Sequence, residues 1–238
     1  MPRRRKSDSP FKRFNSSPEA IRLVRMMYVR FPLSLRNVED LLFERGIEIC
    51  HETVRFWWNR FGPMFAADLK RQRISRIRGF RNWRWHLDEL FVKVNGETHY
   101  LWRAVDHGGE MLESYVTKKW DKSAALRFFK KALKHHGSPF EIVTDGLKPY
   151  PSAMRELGIE DRRKMGWWFN NRAENSHLPL RQRELVMQRF RRMRSLQRFA
   201  SDHANVHNHF NSERHFTDRQ TYKFNCSAGL AECQGLMA

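Results

Sequence analysis

At Trp85 the hydrophobic pattern of this chain changes period, and the change dictates two kinds of packing in succession. Upstream, apolar residues recur at the spacing of helix faces. Downstream, His86, Asp88, Leu90, Val92 and Val94 alternate with Leu87, Glu89, Phe91 and Lys93, the period of two that belongs to a strand. Asn95-Gly96 follows at once. It is the dipeptide best suited to a two-residue hairpin, because both central positions of such a turn need positive φ.

A second strand over Thr98–Val105, another turn at His107-Gly108-Gly109 and a third strand over Met111–Thr117 follow, which predicts three antiparallel strands in a row. Asp121 or Ser123 then caps a helix whose Ala125, Phe128, Phe129, Ala132 and Leu133 share one face. Gly137-Ser138-Pro139 ends that helix, Glu141–Thr144 reads as a short buried strand delivering Asp145 at its end, and Tyr150–Leu157 is a further helix. The order βββαβα plus a later helix predicts an α/β (α+β) core, a mixed five-stranded sheet with helices on its faces, in the element order of a ribonuclease-H-like fold.

The upstream part predicts an all-α domain over residues 16–66, after a basic arm at 1–15. Ser17-Pro18-Glu19 starts a helix with Ala20, Leu23, Val24, Met27 and Tyr28 on one face. A second helix over Ser34–Arg45 places Val38, Leu41 and Leu42 inward. After Gly46 comes a third, His51–Phe61, with Val54, Trp57, Trp58 and Phe61 as core positions and Gly62-Pro63 as its stop. Helix, glycine-containing turn, helix is the helix-turn-helix pattern, and its second helix would carry Glu52, Thr53, Arg55 and Asn59 toward a major groove. Any small three-helix domain leaves the same trace, so charge decides the reading. Lys and Arg number 45 against 26 Asp and Glu, a formal net charge of +19. Such an excess is costly in self-repulsion without a polyanionic partner, and nucleic acid is that partner. Residues 67–84 form a basic linker suited to tracking phosphates. The catalytic core is expected over 85–215 and a tail over 216–238.

Other classes are excluded or disfavoured. No apolar run approaches a membrane span, no basic amphipathic helix or lipid anchor suggests a membrane surface, and the basic N-terminus lacks the apolar stretch of a signal peptide. An intracellular, cytoplasmic protein is expected. Cys50, Cys226 and Cys233 are too few and too scattered for a disulfide framework, and the last two lack zinc-ligand spacing. His203, His207 and His209 have no cysteine partner nearby and read as a polar helix face or phosphate contacts.

Against this basic background three acids stand out: Asp88 in mid-strand, Asp145 at a strand end, and Glu174 opening a segment rich in helix formers. A carboxylate among apolar strand neighbours is costly without a cation. Carboxylates on neighbouring elements can hold two divalent cations about 3.5–4 Å apart, for the attacking and the leaving oxygen of a phosphoryl transfer. Each acid has a plainer reading: an ion-paired strand acid, an Asp-Gly turn, a solvated helix acid. Among the rivals, Glu89 should point to the opposite face from Asp88, Asp106 ends the neighbouring strand, and Asp121 is explained as a cap. His177 and Arg181 follow Glu174 by one and two helical turns, although Pro179 interrupts the stretch. Arg189, Arg191, Arg192, Arg194 and Arg198 interleave with Phe190, Met193, Leu196 and Phe199, as in a helix that packs by its apolar side and turns its arginines to DNA.

Trp-His-Leu-Asp-Glu around Asp88, Tyr-Leu-Trp-Arg-Ala-Val-Asp at 100–106, Thr-Asp-Gly at Asp145 and Asn-Asn-Arg-Ala-Glu-Asn-Ser-His-Leu-Pro-Leu-Arg at 170–181 resemble the bacterial insertion-sequence-six family of DDE transposases. The likeness runs from about Phe31 to about His215, and Arg-Phe-Arg-Arg-Met-Arg-Ser-Leu-Gln-Arg-Phe further on belongs to it. The resemblance implies a ribonuclease-H-like core with Asp88, Asp145 and Glu174 as metal ligands for two Mg2+ ions, with Mn2+ able to substitute, and Arg181 as the basic residue seven positions after the Glu. His177 and Arg183 join the DNA-contact residues. It implies binding of terminal inverted repeats, cleavage freeing a 3′-hydroxyl, attack of that hydroxyl on target DNA, cointegrate formation, and a homodimer or larger assembly holding two ends. Trp120 stands where the family leads one to expect a polar residue, remote from the chemistry. A DNA-binding repressor derived from a transposase is the alternative from another class, and a nuclease without strand transfer is a second; the presence of all three acids favours the transferase.

Overall fold

A computed structural model describes residues 10–77, 84–145, 148–165, 171–186, 190–210 and 218–235, without the side chains of 72–77, 171–176 and 232–235. The chain divides into two compact units, Met1–Asp68 with His209–Ala238, and Leu69–Asn208.

In the first unit, α1 (Pro18–Arg30) begins at Ser17, whose hydroxyl accepts from the Ala20 amide, and stops at Phe31, ahead of Pro32. α2 (Leu35–Phe43) opens with a reciprocal cap between Ser34 and Asn37. α3 (His51–Ile77) buries Val54, Trp57, Trp58 and Phe61, as the spacing predicts. It does not end at Gly62-Pro63. A proline removes one helical hydrogen bond, but Phe65, Ala66 and Leu69 continue the buried stripe and carry the helix onward. Much of the expected basic linker is therefore helical, and 78–83 lie outside the described residues. The segment expected as an unassigned tail contains α8 (Arg219–Gly235). A Cβ on Gly229 would stand 3.2 Å from the Phe210 ring, so this position admits only glycine without a shift. The Gly229 carbonyl pairs with His209 Nε2 at 2.9 Å, and Arg30 lies over Phe210 and donates to Cys226 Sγ.

The second unit is built on β1 (Arg84–Val94), β2 (Glu97–Val105), β3 (Met111–Thr117), α4 (Lys122–His136), β4 (Glu141–Thr144), α5 (Pro149–Glu156), β5 (Arg163–Met165), α6 (Asn171–Val186) and α7 (Met193–Phe210). The sheet order is β3-β2-β1-β4-β5; β1–β3 are antiparallel neighbours and β4 and β5 run parallel to β1. This is the arrangement of a ribonuclease-H-like fold, as expected. Asn95 and Gly96 both take positive φ, as the hairpin requires. One face of the sheet packs Trp85, Leu87, Trp102 and Ala104 against Phe128, Phe129, Tyr150 and Ala153 of α4 and α5. The other face carries α6 across β1 and β2. Side chains of α7 reach the edge strand: Asn208 accepts from the Met111 amide and donates to its carbonyl, and Gln197 does the same with Val116 N–H and Ser114 C=O.

α7 buries Leu196 and Phe199, with Phe190 just before it, while Arg191, Arg192 and Arg194 stay exposed; Met193, expected on the packed side, is exposed, Arg198 is half-buried, and Arg189 lies outside the described residues. Two further expectations fail here. His203 is not on a polar surface but buried, stacked on His207 at 5.9 Å and packed on Phe199. Burial, with the charges of Arg103 and Arg183 added, holds it well below the usual imidazole range. Arg183, expected at DNA, is 1% exposed with its guanidinium over the Phe199 ring, so packing and not phosphate occupies it. Among the described residues, no helix is long and apolar enough to cross a membrane.

Candidate active site

β1 and β4 lie parallel, with His86 opposite Val143. Two residues further along each chain are Asp88 and Asp145, so the register brings the two carboxylates side by side at the carboxyl end of β4, where open sheets place ligands. Asp88 Oδ1 accepts from the Glu89 amide at 2.9 Å, and Oδ2 lies 3.6 Å from His177 Nε2, beyond hydrogen-bond length. Burial first, then the charges of Arg103 and Arg181, lower the His177 imidazole to about 3, so it faces Asp88 as a neutral ring.

The sequence reading separates Glu89 from this pair, and its side chain does lie on the opposite face: it accepts from Tyr150 Oη–H at 2.7 Å and Trp120 Nε1–H at 2.8 Å. Its carboxylate nevertheless converges on the site. Oxygens of Asp88, Glu89 and Asp145 lie within 4.8 Å of one another. Burial raises the Glu89 carboxyl, opposed by the two hydrogen bonds and reinforced by Asp145. Tyr150, buried beside it, is pushed well above the ordinary phenol range and stays a donor. The indole N–H of Trp120 thus fixes a carboxylate at the rim of this cluster. Converging carboxylate oxygens are the hard donors that suit Mg2+.

Glu174 lies on α6, one turn before His177, and its side chain falls outside the described residues. Arg181 pairs with Glu184 at 2.6 Å. Asp106 is a loop organiser, accepting from the amides of Gly108 and Glu110. A second group, Glu113 with His135 and His136, has donor atoms equally close, but Lys70 and Lys131 sit 3.0 and 3.1 Å from Glu113 and already supply its positive charge. In the helical unit, Glu52 and Arg55 form an ion pair, Thr53 contacts Cys50, and Asn59 is exposed on α3.

Residues 82–213, more than half of the chain, match the model of the DDE domain of IS240-type transposases, and the chain belongs to that family. Over 147 residues it is 29% identical to the transposase of insertion sequence-like element IS431mec of Staphylococcus aureus strain Mu50, covering 62% of each chain. The same identity and coverage hold for the transposase of insertion sequence element IS257 in transposon Tn4003 of Staphylococcus aureus. The match thus spans about three fifths of the length of these relatives. The chain is also similar to the HTLV-2 integrase catalytic core domain in its magnesium complex, at 17% identity, over 54% of this chain and 85% of that one, with a TM-score of 0.39.

Neither Glu89 nor Arg103 was assigned a role from the sequence. A signal existed for both: Glu89 adjoins Asp88, and Arg103 stands between Trp102 and Ala104 in a strand, where a charge needs a partner.

Proposed function

We propose that this chain is the DNA transposase of an insertion sequence, binding terminal inverted repeats and carrying out metal-dependent cleavage and strand transfer. The observation that carries this reading is the meeting of Asp88, inside β1, with Asp145, just past the end of the parallel strand β4, oxygens within 4.8 Å, in a chain of the DDE family. Asp88, Asp145 and Glu174 are the residues that would hold two Mg2+ ions, or Mn2+ in their place. When bound, the ions supply an acidified water and charge neutralisation at the phosphorus.

The chain's own groups do the rest. The Glu89 amide fixes one Asp88 oxygen, and neutral His177 occupies the other side without adding charge. Arg181 leaves Glu184 to meet a DNA phosphate. On α3, Glu52, Thr53, Arg55 and Asn59 read the terminal repeat, with Arg55 exchanging Glu52 for DNA. The exposed arginines before and along α7 follow the backbone. Two copies hold two element ends, in the bacterial cytoplasm at the nucleoid, and movement proceeds through a cointegrate.

The test is strand transfer by the purified protein with Mg2+ and a pre-cut end of the source element, beside Glu174→Gln. Joined product from the unaltered protein alone is expected. Joining by both would remove Glu174 from the site, nicking without joining would make the protein a nuclease, and binding without any cleavage would favour a repressor.

A further inference from the structure

Arg103 is a charged residue in the middle of β2, 6% exposed, on the strand directly opposite Asp88. Directly opposed residues of an antiparallel pair project to the same face with their Cβ atoms about 4.5–5.5 Å apart. The guanidinium therefore lies on the face of β1 that carries Asp88 and across which α6 packs. Burial pulls it down to about 9, the Asp88 charge works the other way, and it remains a cation at neutral pH. Three neighbouring imidazoles, His177, His203 and His207, register that positive charge and are all held below their usual range, with burial the first cause in each. A small cavity lined by Arg103, His203, His207 and Asn208 adjoins Met111 and Pro179. The interior behind the carboxylates thus contains a fixed cation among neutral rings.

We propose that Arg103 is a positioning residue for the metal site, an internal counter-ion that orients the Asp88 carboxylate and competes with an incoming divalent cation for its charge. The inference rests on the reading of Asp88 as a metal ligand. A guanidinium suits this role because it keeps its charge when buried, where an ammonium is apt to lose it. Holding the carboxylate with a removable partner leaves it ordered before the ion arrives, at the expense of weaker ion binding.

This role gives two effects of opposite sign, which general damage to the fold does not. In Arg103→Met, Mn2+ binding to the DNA-free protein, followed by isothermal titration or by the spin signal of free Mn2+, is expected to tighten by about 3- to 10-fold, as a like charge is removed near the ligand. Strand transfer at saturating metal is expected to fall by about 10- to 100-fold, because Asp88 loses its orientation. Unchanged or weakened binding in Arg103→Met overturns the proposal.

A thermal-stability cycle tests the pairing without metal. Asp88→Asn strands the buried guanidinium and lowers the melting temperature in the native background. It should have no such effect in the Arg103→Met background. Equal losses in both backgrounds overturn the proposal. Should Arg103→Met alone fail to fold, Asp88→Asn/Arg103→Met is expected to fold, and its failure would show that Arg103 answers to something other than Asp88. If the unaltered protein binds no Mn2+, the metal reading of the site fails, and the cycle still decides the pairing.

Discussion

β1 has two faces, and adjacent acids on it live under different rules. Glu89 points into the aromatic side, among Trp102, Tyr150 and Trp120, and is satisfied by two neutral donors. Asp88 points to the side of α6 and Arg103, with an imidazole and a guanidinium near it. On the first face burial dominates and the carboxyl rises; on the second, the carboxylate stands directly opposite a fixed cation. The same pleat that separates the side chains by half a turn thus separates a structural carboxylate from an electrostatically poised one. Their oxygens still meet at the strand end, because Asp145 lies beyond the last residue of β4, where the sheet no longer divides the two sides.

The largest expected contrast is between Asp88→Asn and Trp102→Ala. The first should remove strand transfer by about 10³-fold or more, through loss of several kcal/mol of transition-state stabilisation, while gel-shift affinity for the element end stays within a few-fold. The second should cost about 3–5 kcal/mol of stability in denaturant melts. Loss of DNA binding in Asp88→Asn would break the division between the faces.

Glu113, opposite Ala104 on β3, shows what happens when a buried carboxylate is given cations in place of neutral donors. Burial alone would raise it, but Lys70, Lys131 and His135 outweigh burial and hold it at about 2. A folded value below the ordinary 4.5 means the contribution is complete above that pH and is lost as pH falls through about 2. Glu113→Gln should therefore lower stability by roughly 2 kcal/mol at pH 7, after discounting the half-exposed lysines. The deficit should narrow between those two pH values; a deficit independent of pH would place the effect in packing.

The smallest effect sharpens the assignment of Glu89. Tyr150→Phe removes one of its two donors and should cost about 1–2 kcal/mol, with Mn2+ affinity unchanged if Glu89 serves only the core. A shift in Mn2+ affinity would move Glu89 into the metal site.

Much of the sheet is legible in the sequence because the pattern turns to a period of two at β1, Asn95-Gly96 fixes the first turn, and His107-Gly108-Gly109 divides β2 from β3. The pairing of β1 with β4 that sets Asp88 beside Asp145 is not contained in that pattern, because the two strands are parallel neighbours separated in the chain by two strands and a helix. β5 was not readable: Arg163-Lys164-Met165 has neither length nor alternation, and pairing with β4 alone makes it a strand. The run of α3 through Pro63 was hidden because a proline looks like a stop until Phe65 and Leu69 are seen to be buried. Arg183 and His203 depart from expectation for a related reason. Their types suggest a wet surface, and only the packing of α6 and α7 reveals that both are interior. Trp120 reached the site through a hydrogen bond to a residue 31 positions away, which no local pattern encodes.

The amide side chains that α7 lends to β3 have one more consequence. An outer strand with free N–H and C=O groups invites another chain to zip onto it. Here Asn208 and Gln197 imitate a neighbouring strand at Met111, Ser114 and Val116, so that border of the sheet is sealed by its own polypeptide. That edge is thereby denied the least selective way for one copy to stick to another.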